Sequence, residues 1–365
     1  MRIKNISEYL EQLAPLAYQE NYDNCGLLVG DEEIEVARCL IALDCTESIV
    51  DEAINKGCQL IVVHHPIIFV GLKSLTGKTY IERTVIKAIK NNIAIYAAHT
   101  NLDNINTGVS KKICDKLKLI NTHVLSPKKE LLQKMTVFVP LTHAESLRDA
   151  LKGAGAGSLG NYKGCSFSVE GTGRFIPSEN ANPFIGERGS LEIVKEERIE
   201  VLYPSHMSGK ILSAMKEKHP YEEVSYFLEK LENNNFEVGS GMVGELEEEI
   251  PSHEFMEYLK DNMDLNVIRH TAFVKDKIKT IAVCGGAGSF LLPKAKQARA
   301  DVFITGDFKY HEFFDAENDL IIADIGHYES EVYTKELFYE LLTNKFPNIA
   351  FASAETSTNP IVYHI

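Results

Sequence analysis

Short apolar strands alternate with amphipathic helices along much of this chain, and this alternation restricts its fold more than any other feature. In the first third, the pattern predicts a strand over residues 37–43, a helix capped by Thr46 or Ser48 and ended by Gly57, a strand over residues 60–63, a helix over residues 81–90 and a strand over residues 93–97. A helix opens the chain, because Ile3, Ile6 and Leu10 recur at helical spacing. Strands separated by helices form βαβ units, so we expect an α/β fold with mainly parallel sheets.

The last third of the chain repeats this pattern. It predicts a strand over residues 280–284, a helix over residues 290–298, a strand over residues 301–305, a short helix through His311 and Phe314, a strand over residues 320–323, a long helix from about His327 to Lys345 and a closing strand over residues 349–351. The sequences LIVVHHP and VFITGDF stand in comparable places of the two stretches. We therefore expect a duplicated βαβ core.

Residues 127–234 carry a different internal repeat. The sequence MTVFVPLTHAESLRDALKGAG (135–155) matches IEVLYPSHMSGKILSAMKEKH (199–219), each reading as a strand, a proline turn and a helix. With further strands near residues 167–169 and 224–228, the order is β-α-β-β-α-β, which is ferredoxin-like. The predicted organisation is thus a core domain over residues 1–126 and 235–365, split by an α+β insert over residues 127–234. Residues 232–241 are predicted to be a flexible linker back to the core.

Composition excludes several classes of protein. The apolar runs are far shorter than the ~20 residues that cross a bilayer, and the N-terminus lacks the apolar core of a secretion signal. Seven cysteines without a Cys-x-x-Cys pair predict free thiols and a cytoplasmic location. The net charge of −14 makes nucleic acid an unlikely partner, because phosphate-backbone binding needs clustered Lys and Arg.

Unusual polar residues follow four of the predicted strands. They lie in HHP (64–66), HTNLD (99–103), GDFKYHE (306–312) and DIGHYESE (324–331). Ligands of open parallel sheets sit outside the carboxyl ends of the strands, so we expect the four clusters to converge.

The residues that we expect at this edge are imidazoles and carboxylates. They are His64, His65, Asp103, His327 and Glu331. Each has an ordinary explanation: the histidine pair as a polar turn, Asp103 as a helix cap, and His327 with Glu331 as a surface pair on one helix. Their coincidence favours a metal site instead, because both groups bind zinc, iron and manganese well.

The number of these groups predicts two ions rather than one. A catalytic zinc usually takes about three protein ligands, whereas five suit two divalent ions roughly 3.5–4 Å apart with a bridging carboxylate. Asp103 or Glu331 is the candidate bridge, and we favour Glu331 because it reaches inward from a helix start.

At this point the motifs resemble those of the Nif-three-like family, whose members are commonly named GTP cyclohydrolase 1 type 2 homologues. The resemblance spans almost the whole chain and rests on the sequences NYDNCGLLVG (21–30), VVHHPIIF (62–69), AHTNLD (98–103), VCGGAGS (283–289), GDFKYHE (306–312), DIGHYESE (324–331) and STNPI (357–361). It implies that the five residues are the ligands of a dinuclear centre. It also implies a ring-shaped homohexamer, and the insert, with HPYEEVSY (219–226), resembles the PII- or CutA-like domain of longer bacterial members.

The chemistry that follows is metal-dependent hydrolysis, in which an activated water attacks a nucleotide or related small molecule. His99 and His311 are the candidates for general acid–base catalysis, or alternatively support the metal ligands. The loop Gly285–Ser289 presents either backbone N–H groups to a triphosphate or only a tight turn. The second hypothesis for the whole protein is a non-catalytic metal-binding regulatory or scaffold oligomer, whose insert senses a ligand.

Overall fold

The computed structural model describes residues 1–364, in which strands and helices alternate at both ends of the chain. The strands are β1 (Gly26–Val29), β2 (Arg38–Ala42), β3 (Leu60–Val63), β4 (Ala94–Ala97), β5 (Ile120–Lys128), β6 (Leu132–Pro140), β7 (Ser166–Phe175), β8 (Glu192–Pro204), β9 (Tyr226–Leu231), β10 (Asn235–Pro251), β11 (Arg269–His270), β12 (Lys277–Ala287), β13 (Val302–Gly306), β14 (Ile321–Asp324) and β15 (Ala350–Ser353). The α-helices are α1 (Ile3–Leu13), α2 (Glu47–Lys56), α3 (Tyr80–Lys90), α4 (Thr100–Asp103), α5 (Val109–Lys116), α6 (Ala144–Ala154), α7 (Ser208–Lys218), α8 (Ser252–Met263), α9 (Leu292–Gln297), α10 (His327–Glu331) and α11 (Thr334–Lys345).

The chain forms two compact units, and the first contains Met1–Pro127 together with the chain from Val238 onward. One of its sheets has the strand order β1-β4-β3-β2-β15. Strands β15, β2, β3 and β4 are parallel, and β1 closes one edge in the antiparallel direction. All four residues of β3 are buried, as expected for a central parallel strand covered on both faces.

Local sequence signals explain the helices that cover this sheet. Thr46 accepts a hydrogen bond from the backbone N–H of Ile49 at the start of α2, and Gly57 ends that helix with φ of 66°. The buried positions Ile49, Val50 and Ala53 lie on one face of α2 and join the apolar core of the sheet.

The second sheet of this unit has the order β11-β14-β13-β12-β10-β5. Strands β12, β13 and β14 are parallel, whereas β10 and β11 are antiparallel to their neighbours. Successive residues of β12 point to opposite faces, so Ile281 and Val283 enter one apolar cluster while Ala282 and Cys284 enter another. The fold is therefore mixed α/β with several sheets.

The second unit is Lys128–Glu237, and its antiparallel sheet has the order β7-β8-β6-β9. Helices α6 and α7 cover one face through Leu147, Leu151, Ile211 and Met215, which are all buried. Its elements follow one another as β6-α6-β7-β8-α7-β9.

The short helix predicted through His311 and Phe314 is present as a 3₁₀ helix, Tyr310–Ala316. Two other expectations drawn from the C-terminal half of the sequence are wrong in detail. The long helix from His327 to Lys345 is two helices, because α10 ends at Glu331 and α11 begins at Thr334. The last strand, β15, pairs with β2 of the first sheet rather than closing the second. Periodicity cannot reveal this partner, because pairing depends on contacts distant in sequence.

The predicted flexible linker over residues 232–241 is also wrong. Only residues 232–234 lie outside strands, because β10 begins at Asn235. The apolar residues Val238, Met242 and Val243 of this strand are buried, and their burial offsets the low strand propensity of the glycines between them.

No helix within residues 1–364 is long and apolar enough to pass through a bilayer.

Gly30, just after β1, is required by the close approach of β4. Its φ is 105°, and a Cβ at this position would lie 2.6 Å from Cβ of Ala94. We expect Gly30→Ala to lower the free energy of unfolding by about 1–3 kcal/mol, measured by denaturant titration. The matched control is Gly71→Ala, since Gly71 has no neighbour within 4 Å and no positive φ. Equal effects of the two substitutions would contradict this account.

Candidate metal centre

Two adjacent histidines follow β3, and the backbone fixes both. The N–H groups of His64 and His65 donate to the carbonyl of Leu43 at 3.1 and 3.0 Å. The His64 side chain is fully buried, and its Nδ1 lies 2.9 Å from the carbonyl oxygen of Ala98. That contact leaves Nε2 of His64 directed away from Ala98, as a metal-binding imidazole requires.

The other three candidate ligands lie on short helices at the carboxyl ends of β4 and β14. Asp103 is the last residue of α4, and its helix begins where Asn101 accepts a hydrogen bond from the N–H of His99. His327 and Glu331 are four residues apart on α10, so both project from one face of that helix.

The structure brings all five sequence-predicted ligands together. Glu331 lies at the centre, with Oε1 3.6 Å from Nε2 of His64 and Oε2 2.9 Å from Nε2 of His65. Nε2 of His327 lies 3.1 Å from the same Oε2, and Nε2 of His64 lies 3.6 Å from Oδ1 of Asp103. Three groups of potential metal ligands result among the described residues. Two of them include Glu331, one with His65 and His327 and one with His64 and Asp103, and the third is His64, His65 and His99.

Unpaired polar atoms at this point fit bound cations. Nε2 of His64, Oδ1 of Asp103 and Oε2 of Glu331 are buried and have no hydrogen-bond partner in the described chain. The imidazoles nearest to Oε2 of Glu331 are close to it but lack hydrogen-bond geometry. A buried polar atom without a partner costs about 1–3 kcal/mol, and bound cations would give all three atoms a partner.

Two further carboxylates lie behind the histidines. Nδ1 of His65 lies 2.7 Å from Oδ1 of Asp44, and Nδ1 of His327 lies 2.6 Å from Oδ2 of Asp307. Asp44 is held in turn by the hydroxyl of Thr358, which donates to it at 2.5 Å. Such carboxylates fix the tautomer and orientation of a ligating imidazole, so Nε2 of each ring is left for the metal.

The two predicted acid–base histidines are placed differently. His99 is half-buried beside His64 and His65, with ring centroids 5.1 and 5.4 Å away. Its Nδ1 lies 2.9 Å from Oδ1 of Asp23. His311 is exposed, and its ring contacts Tyr310 and Phe314 instead of the histidine cluster. The structure therefore brings His99 to the site and leaves His311 outside it.

The charges of the cluster shift the pKa values of its members in opposite directions. Burial lowers the pKa of His64, which favours the neutral, ligating form. Although burial opposes it, Asp44 and Glu331 raise the pKa of His65 to about 10. Glu331 raises the pKa of His327 to about 9 against the effect of burial. Burial and the charge of Glu331 raise the pKa of Asp103 well above its usual range.

The glycine-rich loop over residues 285–289 supports Glu331 at very close range. Gly286 has φ of 64°, and a Cβ there would lie 2.4 Å from Oε1 of Glu331. The N–H of Gly286 donates to the hydroxyl of Ser330 at 2.9 Å, and its carbonyl accepts from Thr305 at the same distance. Residues 285–287 are therefore the irregular end of β12, which packs on α10, rather than a separate turn.

Sequence reasoning missed the carboxylates behind the histidines. Asp44 lies two residues after the end of β2, at the same sheet edge as the histidine pair, so the rule that located His64 could also have located Asp44. Asp23 and Asp307 lie within motifs that the sequence analysis singled out, but no spacing signal links them to the histidines they contact.

Comparison with known proteins places this fold and site in one class, the Duf34/NIF3 (NGG1p interacting factor 3) proteins. The model of that family matches residues 1–360. This chain therefore belongs to the Duf34/NIF3 family.

Individual relatives agree with this assignment. A Bacillus subtilis protein named GTP cyclohydrolase 1 type 2 homolog is 39% identical, over 99% of this chain and 98% of that protein. The solved structure of a Bacillus cereus protein related to NIF3 is 39% identical, with a TM-score of 0.87 over 100% of this chain and 99% of that one. A Staphylococcus aureus protein of known structure is 29% identical, with a TM-score of 0.79 over 100% of this chain and 99% of that one.

We expect any binding of a divalent metal at this candidate site to release protons. His65 and His327, with pKa values of about 10 and 9, carry protons at pH 7 in the metal-free protein, and a ligating imidazole must be neutral. We expect at least one proton to be released per chain, and the apparent metal affinity to rise as pH increases towards these values. Calorimetric titration with a divalent metal at pH 7, in buffers of different ionisation enthalpy, measures this release.

The variant Asp307→Asn tests the cause of that release. Asp307 has φ of 59°, which Asn tolerates, so the backbone is preserved. We expect fewer protons released and metal affinity about 10–100-fold weaker. Asp319→Asn is the control, because Asp319 pairs with Lys296 on the surface. Metal binding at pH 7 without proton release in the unaltered protein would refute this account.

Proposed function

We propose that this protein holds two divalent metal ions, zinc, iron or manganese, with His64, His65, Asp103, His327 and Glu331 as ligands. The single observation that carries the proposal is the position of Glu331, whose two oxygens face two different groups of ligands. A carboxylate in this position can bridge two ions. The unpaired atoms of His64, Asp103 and Glu331 support the same assignment.

We further propose that the centre is a metal-dependent hydrolase of the GTP cyclohydrolase 1 type 2 homologue kind, acting on a nucleotide or related small molecule. When bound, two divalent ions lower the pKa of water and polarise the group that it attacks. Asp44 and Asp307 hold the imidazoles of His65 and His327 in orientation. His99, fixed through Nδ1 by Asp23, offers Nε2 for proton transfer beside the ligands.

The alternative proposal is a non-catalytic metal-binding regulatory or scaffold oligomer. One observation favours it, namely that the N–H of Gly286, in the glycine-rich segment over residues 285–289, already donates to Ser330 and is not available to a triphosphate. In this proposal, bound metal stabilises the first unit, and the second unit senses a ligand.

We also propose that the core is duplicated and that residues 127–234 are a ferredoxin-like, PII- or CutA-like insert. Each core sheet contains three parallel strands that follow one another in the chain, β2–β4 in the first sheet and β12–β14 in the second. An antiparallel strand lies beside the last of the three in both sheets, β1 beside β4 and β11 beside β14, which supports duplication. The element order β6-α6-β7-β8-α7-β9 and the sheet order β7-β8-β6-β9 support the ferredoxin-like assignment.

The hydrolase proposal is tested by metal analysis and a turnover screen over nucleotides and nucleosides, with and without chelator. We expect two metal equivalents per chain, and activity that falls at least 100-fold with chelator or in His64→Ala. His253→Ala is the control, because His253 is exposed and distant in sequence from every ligand. Two metal equivalents without any turnover would favour the scaffold proposal instead.

Family membership also supports two proposals about the state of the protein in the cell, a homohexameric ring and a cytoplasmic location. Light scattering coupled to size-exclusion chromatography should give six times the mass of one chain, 40.8 kDa. A monomer or dimer at micromolar concentration would refute the ring.

A further inference from the structure

The cavity in front of the candidate ligands has a composition that restricts its substrate. It has a volume of about 570 Å³, which suits a small organic molecule. Aromatic residues line its mouth and carboxylates and histidines its floor, and among the described residues that line it there is no lysine or arginine. We propose that the site takes an uncharged heterocycle of nucleobase size, as a base or nucleoside, rather than a nucleoside triphosphate. This rests on the proposed metal-dependent hydrolase.

Charge balance is the first argument. Two divalent ions would bring four positive charges to a site that has four carboxylates within or directly behind its ligand set. These carboxylates are Asp103, Glu331, Asp44 and Asp307. The loaded centre is then close to neutral, and the cavity lining supplies no Lys or Arg for additional anions. A triphosphate needs several such cations or free N–H groups to offset its charge.

The backbone does not replace the missing cations. The glycine-rich segment over residues 285–289 contributes only Gly285 and Ala287 to the described lining of this cavity, and the N–H of Gly286 between them donates to Ser330. A three-residue 3₁₀ helix, Ser289–Leu291, and then the six-residue α9 follow this segment, and helices this short provide little helix dipole for an anion.

Exposed aromatic rings at the mouth give the second argument. Tyr22 and Phe290 are each 65% exposed and Phe69 is 43% exposed. This exposure is unfavourable, because burying a large apolar side chain stabilises the folded chain. The rings of Tyr22 and Phe69 lie 6.1 Å apart at 30°, and Phe69 lies 6.0 Å from the ring of His99. Phe69 thus joins the exposed mouth to the floor, where a planar ring can stack on it.

Uncharged polar groups complete the lining. Asn104 and Ser240 form a hydrogen-bonded pair at 3.0 Å in the cavity wall, and Thr100 and Asn359 also line it. The side-chain N–H groups of Asn104 already donate to Tyr18 and Glu20, and the hydroxyl of Ser240 donates to Asn104. The oxygens of this pair keep lone pairs that can accept from the amino or N–H groups at the edge of a heterocycle. They match a polyphosphate poorly, because Asn and Ser carry no charge.

Calorimetric binding to the purified, metal-containing full chain tests this inference. The probes are guanosine, adenosine, cytidine and uridine, each compared with its own triphosphate in the same buffer. We expect at least one nucleoside to bind as tightly as its triphosphate or more tightly. If no nucleoside binds, or if every triphosphate binds more than tenfold tighter than its nucleoside, the inference is overturned.

The variant Phe69→Ala tests the stacking contact. We expect it to weaken binding of that nucleoside about tenfold while the metal content per chain stays unchanged, since stacking on an aromatic side chain is worth about 1–3 kcal/mol per base. Phe273→Ala is the matched control, because Phe273 is 47% exposed and stacks on His270 instead. Equal binding by the unaltered protein and Phe69→Ala would overturn the assignment of Phe69.

Binding and turnover separate this inference from the hydrolase on which it rests. If a nucleoside binds in a way that depends on Phe69, but no chelator-sensitive turnover is found, the proposed ligand class is supported and the hydrolase proposal is refuted. Chelator-sensitive turnover of a triphosphate, with no nucleoside bound, supports the hydrolase and overturns the substrate class.

Discussion

The burial of Glu331 among three imidazoles is the interaction on which the rest of this structure depends. A carboxylate this deeply buried is tolerated only where opposite charge or hydrogen bonds compensate for lost hydration. Here the compensation comes from distant parts of the chain: His64 and His65 follow β3, whereas His327 shares α10 with Glu331. Each ligand sits at the carboxyl end of a strand, so the site exists only when both core sheets are formed. The unpaired atoms that remain are ones that a bound cation could satisfy.

Much of this site could be predicted because it obeys a rule of topology. The positions of His64, Asp103 and His327 follow from locating parallel strands and reading the residues after them. The partners of the histidines could not be found in this way. Asp307 and Asp23 contact their histidines through side-chain packing between loops, and neither periodicity nor spacing records such contacts. The same rule wrongly placed His311 at the site. His311 also follows a core strand, but it lies on a 3₁₀ helix at the surface, where its ring contacts Phe314.

The fold shows the same division between local and non-local information. The helix from Thr46 to Gly57 was predictable because a capping side chain and a left-handed glycine are local signals. The break between α10 and α11 was not, because the apolar periodicity continues across it. Residues 232–241 were misassigned for a related reason: asparagines and glycines favour loops, but pairing of β10 with β12 and burial of Val238 and Met242 override that preference.

The pairing of β15 with β2 has a consequence for how the protein is made. Strand β2 is complete early in synthesis, whereas β15 leaves the ribosome only after more than 300 further residues. Until then the first sheet has an open edge at β2, a surface that invites pairing with other nascent chains. The residues on either side of β15 belong to the centre itself, since Glu331 precedes it and Thr358, which holds Asp44, follows it. Closure of that edge and assembly of the candidate metal ligands are therefore late, coincident events in the life of each molecule.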